Sequence, residues 1–194
     1  MRKSTTVSVL AAVGVLLPGA VLAHTDVGPV TGFAAGFTHP IGGADHVLAM
    51  VAVGLWAAQL GGRARWAVPG AFLGAMVLAG ALGIAGVTLP LVEAGVLASV
   101  LVLGVLITAS LSVPAAVGSL LVAAFAVFHG HAHGTEMPLA RGGLAYSAGF
   151  AAATALLHAS GITAGVLLKA LGLRKVARAA GALIVVAGIF LTLA

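Results

Sequence analysis

Long apolar runs, separated only by short turns, constrain this chain more than any other feature of its sequence. Residues 66–87 and 91–111 each reach the about 20 apolar residues that a helix needs to cross a bilayer. Hydrophobic residues make up 61 % of the 194 residues and charged residues only 7 %. Soluble domains have about 25 % charged residues, and one this small could not bury so much apolar surface. The sequence therefore predicts an all-α membrane protein.

Charged residues and prolines divide the chain into a bundle of about six predicted transmembrane helices. The spans are expected at residues 44–60, 66–87, 91–111, 113–128, 142–168 and 179–193, with a lead-in helix from about residue 30. The polar segment 129–138 is expected to connect the fourth and fifth spans. A basic turn at 169–178 is expected before the sixth.

Residues 1–23 have the pattern of a cleavable signal peptide. Arg2 and Lys3 precede a short apolar stretch, and small residues at 20–23 precede the expected cleavage point. The alternative is an uncleaved first helix. Cleavage would leave residues 24–194 as the six-helix transmembrane domain, with its N-terminus in the periplasm.

The loop charges predict the same orientation. Under this topology six basic residues lie in two turns on one side, and only Arg141 lies on the other. The positive-inside rule makes those turns cytoplasmic, in a bacterial inner membrane. The six residues are Arg63, Arg65, Lys169, Arg174, Lys175 and Arg178.

Missing residue types and motifs exclude several function classes. The chain has no cysteine, which excludes disulfides, thiolate metal sites and cysteine nucleophiles. The nine Lys and Arg form no basic stripe with interleaved aromatics, so no nucleic acid is expected as a partner. No P-loop is present, so the chain is not expected to hydrolyse ATP. The lipid bilayer is the expected surrounding, while a homo-oligomer or a metallochaperone partner is left open.

The strongest local signal is the segment His39–Met50, which combines polar side chains with residues that interrupt helices. Pro40 lacks the N–H donor of a regular helix, and Gly42 and Gly43 permit a sharp backbone path. The sequence therefore predicts a broken, Pro/Gly-interrupted first helix with its break at Pro40.

This break could fold His39 back toward His46. Asp45 and His46 would then lie in the first turn of the first span, with Met50 one turn below His46 on the same face. Such an arrangement makes His39, Asp45 and His46 a candidate metal site. The alternative is an ordinary helix entrance that Asp45 caps.

A second donor cluster occupies residues 128–138. It contains His129, His131, His133 and Glu136. The three histidines share one face if the segment is extended, but not if it is helical. At least one is expected to line a pathway, with His129 favoured because it ends a span. The alternative is a solvated histidine-rich loop.

Four further residues complete the candidate set. His158 falls near the middle of the fifth span, where an ionisable residue is a functional candidate by default. Glu93 lies at the start of the third span, and His24 and Asp26 lie near the mature N-terminus. Imidazoles and carboxylates together suit Ni²⁺, Co²⁺, Cu²⁺ or Zn²⁺.

The two motifs resemble the HupE/UreJ family of bacterial membrane proteins. The matching stretches are HPIGGADHVLAM at 39–50, VAVGLWAAQLGG at 51–62 and FHGHAHGTEMP at 128–138, and the similarity runs over nearly the whole mature chain. The family is associated with nickel uptake or nickel supply for hydrogenase and urease. The resemblance implies that the functional residues are His39, Asp45, His46, His129, His131 and Glu136.

The leading hypothesis is a permease or channel-like importer for Ni²⁺, not an enzyme. His24, Asp26 and residues 129–136 would concentrate the metal, and His158, with Met50, would offer a station beyond the first motif. One alternative is a membrane accessory protein that binds nickel and hands it on without flux. A second is a membrane-embedded metal hydrolase, although His-Glu-x-x-His is absent.

Overall fold

Seven helices make up the described part of the chain. The computed structural model describes residues 32–137 and 143–193, so the predicted signal peptide, His24, Asp26 and Arg141 lie outside the described residues. Within these ranges there is no β-strand, and the all-α prediction is confirmed. The helices are α1 (Phe33–Gly42), α2 (Ala44–Leu60), α3 (Ala64–Ile84), α4 (Val92–Ala109), α5 (Ala115–Glu136), α6 (Gly143–Ala170) and α7 (Arg174–Leu193).

The length and apolarity of these helices define a multi-pass membrane protein. Each of α3 to α7 is long and apolar enough to cross a membrane by itself. The bent pair α1 and α2 gives a sixth candidate span. Large apolar side chains such as Trp66, Leu120 and Phe190 are exposed, as expected of surfaces that face lipid.

The first helix is broken as predicted, but the break lies at Gly43 instead of Pro40. Pro40 is buried inside α1, near its C-terminal end. Gly43 has extended backbone (φ −98°, ψ 118°), and α1 and α2 meet there at 88°. A proline removes one helical hydrogen bond, and α1 continues for only two residues beyond Pro40. Extended backbone at one residue, by contrast, ends the helix.

The expected end of the fourth span at residue 128 is wrong, because α5 continues as a helix through most of the polar segment, to Glu136. Glycines allow this segment to pack closely against α3. A Cβ added at Gly130 would overlap the carbonyl of Met76, and one added at Gly134 would overlap that of Gly80. Small residues permit such close backbone approach between membrane helices. The histidines between these glycines are therefore held in a packed helix.

The two ends of the bundle carry different side chains. The histidine end comprises the start of α2, the end of α5 and the start of α6 together with α1. The basic end comprises the α2–α3 and α6–α7 turns, and the second turn is shorter than predicted, at residues 171–173. Arg178 Nε donates to the carbonyl of Thr108 at 2.8 Å, which ties the start of α7 to the end of α4.

An apolar core separates the two ends. Trp56 is almost fully buried there, and its Nε1 donates to the carbonyl of Leu111 at 3.3 Å. No Asp, Glu, Lys or Arg side chain is buried among the described residues. The largest fully buried members of the core are Met50, Val53, Trp56, Val68, Phe72, Val100, Leu103, Ile107 and Val122.

Candidate metal centre

The first turn of α2 holds His46 in a fixed orientation. Asp45 Oδ1 accepts a hydrogen bond from the backbone N of His46 at 2.8 Å and lies 3.0 Å from its Nδ1. An ionised carboxylate only accepts hydrogen bonds, so Nδ1 carries the ring proton and Nε2 carries the lone pair. That Nε2 is buried and has no hydrogen-bond partner among the described residues. Asp45 therefore orients His46 as a nitrogen donor.

Two histidines of α5 lie against His46. His129 and His133 are one helical turn apart and share a face. The His46 ring centroid lies 4.8 Å from that of His129 and 4.3 Å from that of His133. His129 Nδ1 and both ring nitrogens of His133 are buried without a partner in the described ranges. The helical form of α5 thus groups three imidazoles.

An outer set of donors adjoins this group. The His39 side chain is 38 % exposed, and its Nε2 lies 3.4 Å from Glu136 Oε2. His133 Nδ1 lies 3.9 Å from the same oxygen. One ligand atom from each of His39, His133 and Glu136 can be chosen so that all three lie within 4.8 Å of one another. Two imidazoles and a carboxylate at this spacing form a candidate site for a divalent cation.

The row of imidazoles continues into the bundle. Phe72 lies between His129 and His158, with ring centroids at 5.4 Å and 5.2 Å. His158 is buried in the middle of α6, and its Nε2 has no described partner. The histidine row is therefore His39, His133, His46 and His129, followed by Phe72 and then His158. It leads from an exposed side chain to the apolar core.

Several predicted residues do not join this row. His131 lies on another side of α5, with its Nε2 2.6 Å from the carbonyl of Val87. Glu93 is exposed in the first turn of α4 and makes no ion pair with any described residue. Met50 is fully buried in the apolar core. These positions contrast with the central place of His133.

Sequence reasoning missed Ser99 and Phe72. Ser99 is fully buried in α4, and its Oγ lies 2.9 Å from His129 Nε2. Its signal in the sequence is a hydroxyl with apolar residues on both sides in the middle of a predicted span, since polar groups there need a partner in the bundle. Phe72 carries no such signal, because an aromatic residue in an apolar run looks like any core residue.

The donor chemistry fits a borderline divalent metal. The histidine row offers imidazole nitrogens and, at its outer end, one carboxylate, while thiolates are absent from the sequence. Nickel, copper, zinc and cobalt accept such ligands, whereas magnesium and calcium prefer oxygen. Several adjacent incomplete sites suit an ion that is bound and then passed on.

The bundle and the histidine row together define a small all-helical membrane protein with a cluster of side chains of the kind that bind metal ions. The family model described as "HupE / UreJ protein" matches residues 10–191. A relative named "Protein HupE", from Rhizobium leguminosarum bv. viciae, is 43 % identical over 189 residues, covering 97 % of each chain. The chain therefore belongs to the HupE/UreJ family, whose members are nickel- or cobalt-associated accessory or transport proteins. No solved structure matches it.

Proposed function

We propose that this protein imports a divalent transition metal, nickel in the first place, as a permease or channel-like carrier. The observation that carries the proposal is the histidine row, in which exposed His39 leads to buried imidazoles with unpaired nitrogens. An unsatisfied buried polar group costs about 1–3 kcal/mol. A metal ion would use those lone pairs, so the row has a physical purpose that packing alone does not supply.

The proposal includes an orientation. The histidine end would face the periplasm and the basic end the cytoplasm of a bacterial inner membrane, in agreement with the positive-inside rule. A membrane potential then favours entry by about 2.3 kcal/mol per charge per 100 mV. The imported metal would supply hydrogenase- or urease-type enzymes.

The apolar core supports a second candidate, a protein that binds nickel and hands it on without flux. Beyond His158, the way to the basic end passes apolar side chains such as Val68, Leu103 and Val122. A transporter must open this core, and an accessory protein need not. Purified protein in liposomes with a metal-sensitive dye inside distinguishes the two, since only a transporter changes the dye signal.

A metal hydrolase receives less support from the geometry. Such an enzyme needs a carboxylate free to act as a base near the metal. Asp45 is engaged with His46, Glu93 lies exposed outside the histidine row, and Glu136 is itself one of the three candidate ligands of the outer site. The arrangement therefore favours carriage of the metal over hydrolysis.

Cellular uptake of ⁶³Ni tests the proposal directly. We expect His46→Gln to reduce uptake to background and Asp45→Asn to reduce it about 10–100-fold, as for residues that orient a metal ligand. Ser160→Ala, on the exposed side of α6, is the control and should behave as wild type. Normal uptake by membrane-inserted His46→Gln would refute the assigned site.

A further inference from the structure

The buried hydroxyl of Ser99, a residue that is not part of the histidine row, contacts one of its imidazoles. Ser99 is fully buried on α4, and its Oγ makes two short contacts. The first, at 2.6 Å, is with the carbonyl oxygen of Val96, one turn earlier in the same helix. The second, at 2.9 Å, is with Nε2 of His129. Both partners compete for the single hydrogen that a serine hydroxyl carries.

The hydrogen-bonding capacity of the two partners decides which of them receives the serine hydrogen. A carbonyl oxygen can only accept, so the 2.6 Å contact with Val96 requires the serine hydrogen. Toward His129, Ser99 Oγ can then only accept, and Nε2 must carry the ring proton. A neutral imidazole protonated at Nε2 has its lone pair at Nδ1. His129 Nδ1 is the nitrogen that is buried without a partner among the described residues.

We propose that Ser99 is a positioning residue that holds His129 in its Nε2–H tautomer and so makes Nδ1 the metal-binding nitrogen. The metal-binding part rests on the proposed function; the tautomer does not. Asp45 does the corresponding task for His46, where it holds the proton on Nδ1. The rings of His46 and His129 lie 4.8 Å apart. Asp45 on α2 leaves Nε2 of His46 as the nitrogen with the lone pair, and Ser99 on α4 leaves Nδ1 of His129.

Nitrogen NMR of the full chain in lipid nanodiscs, without metal, tests the tautomer. With ¹⁵N-labelled histidine, the His129 signals are assigned by their loss in His129→Gln. Wild type should show Nε2 protonated and Nδ1 unprotonated, and Ser99→Ala should lose this preference. A wild-type His129 protonated at Nδ1, or an unchanged pattern in Ser99→Ala, would overturn the inference.

Nickel titration of the same samples tests the consequence. Ser99→Ala should weaken Ni²⁺ binding about tenfold, as for other residues that orient a metal ligand, and Ser99→Thr should restore it because the hydroxyl is kept. Ser160→Ala is the matched control, since Ser160 Oγ donates to Leu157 O at 2.7 Å with the same three-residue spacing but contacts no described histidine. Wild-type affinity in Ser99→Ala contradicts the positioning role. Failure of wild type to bind Ni²⁺ contradicts the proposed function, while the tautomer result stands.

A second inference concerns the basic end and does not depend on the first. A cavity of about 390 Å³ lies there between α2, α4, α6 and α7. Four cationic side chains line it, together with the hydroxyl-bearing Ser110 and Ser112. The acidic residues of the described chain all belong to the starts of α2 and α4 and the end of α5, so none neutralises this cavity. The cationic residues are Lys169, Arg174, Lys175 and Arg178.

We infer that this cavity binds the phosphate of an anionic lipid headgroup. Basic pockets between membrane helices attract such headgroups, and arginine binds phosphate oxygens through paired N–H donors. The bond from Arg178 to Thr108 fixes one of these cations at the cavity wall. Because the cavity opens at one end of the bundle, the headgroup would come from the leaflet at that end.

Native mass spectrometry of the protein released from phosphatidylglycerol or phosphatidylcholine nanodiscs tests this site. Arg174→Gln should reduce retained phosphatidylglycerol about fivefold, while phosphatidylcholine is little affected. Arg63→Gln is the matched control, because Arg63 is an exposed cation at the same end that does not line the cavity. Equal phosphatidylglycerol retention by the two variants would overturn the inference. So would calorimetric binding of inorganic phosphate without any preference for the anionic lipid.

Discussion

The histidine end and the basic end use polar side chains in opposite ways. At the histidine end, most imidazoles are buried, and two of them are oriented by hydrogen-bond partners, His46 by the adjacent Asp45 and His129 by Ser99 on another helix. At the basic end, four exposed cationic side chains surround a cavity, and none of the described residues that line it carries a carboxylate. The first end offers candidate metal ligands, and the second offers only positive charge. The comparison teaches that this bundle keeps its candidate metal ligands and its cationic side chains at opposite ends of its helices.

The largest expected effect comes from a pair of histidines two residues apart in α5. His133→Ala should weaken Ni²⁺ binding by about 100-fold or more, because His133 belongs to both the outer and the inner donor groups. His131→Ala should change it less than about threefold, because His131 binds the Val87 carbonyl instead. Calorimetry on the purified variants measures both. Equal losses would show that the donors are not confined to one face of α5.

A smaller effect is expected at the corner between α1 and α2. A Cβ added at Gly43 would lie 2.9 Å from Asp45 Oδ1 and 3.2 Å from His46 Nδ1, whereas one at Gly42 meets no atom within 4 Å. Gly43→Ala should therefore displace the orienting carboxylate and weaken Ni²⁺ binding about tenfold. Gly42→Ala, the matched control, should bind as wild type. Full affinity in Gly43→Ala would mean that the Asp45–His46 pair does not control the site.

The smallest effect is expected from the basic end. Arg174 and Lys175 are exposed, and interactions of solvent-exposed charges over more than about 8 Å are largely screened at physiological salt. Arg174→Gln/Lys175→Gln should therefore leave Ni²⁺ affinity at the histidine row within about twofold of wild type. The same calorimetric titration measures this double variant. A change above fivefold would show that the two ends are electrostatically coupled and that their separation is incomplete.

The span boundaries could be predicted well where apolar runs end at glycines. The predicted span 44–60 coincides with α2, which extended Gly43 precedes and Gly61, with a positive φ of 76°, follows. Apolar length and turn residues are local properties, so the sequence alone carries them. The family, too, was recognisable from the two motifs and is confirmed.

The candidate site was only partly predictable, because helical phase and tertiary packing determine it. From its sequence alone, a histidine-rich segment is compatible with a solvated loop, whereas in the structure it is a helix packed against α3. Only in a helix do His129 and His133 lie on one face and His131 on another. The approach of His46 to both depends on contacts between helices far apart in the chain. His133, a minor candidate in the sequence, therefore takes a central place, and the assignment of ligands stays a prediction.

Alternation of glycine and histidine along α5 makes its register intolerant of change. Each residue advances a helix by about 100°, so one residue inserted between Val122 and His129 would turn the histidines toward a different neighbour. The same insertion would move Gly130 and Gly134 off α3 and place bulkier side chains against it. Natural variation in this helix should therefore occur by replacement of residues and not by insertion or deletion.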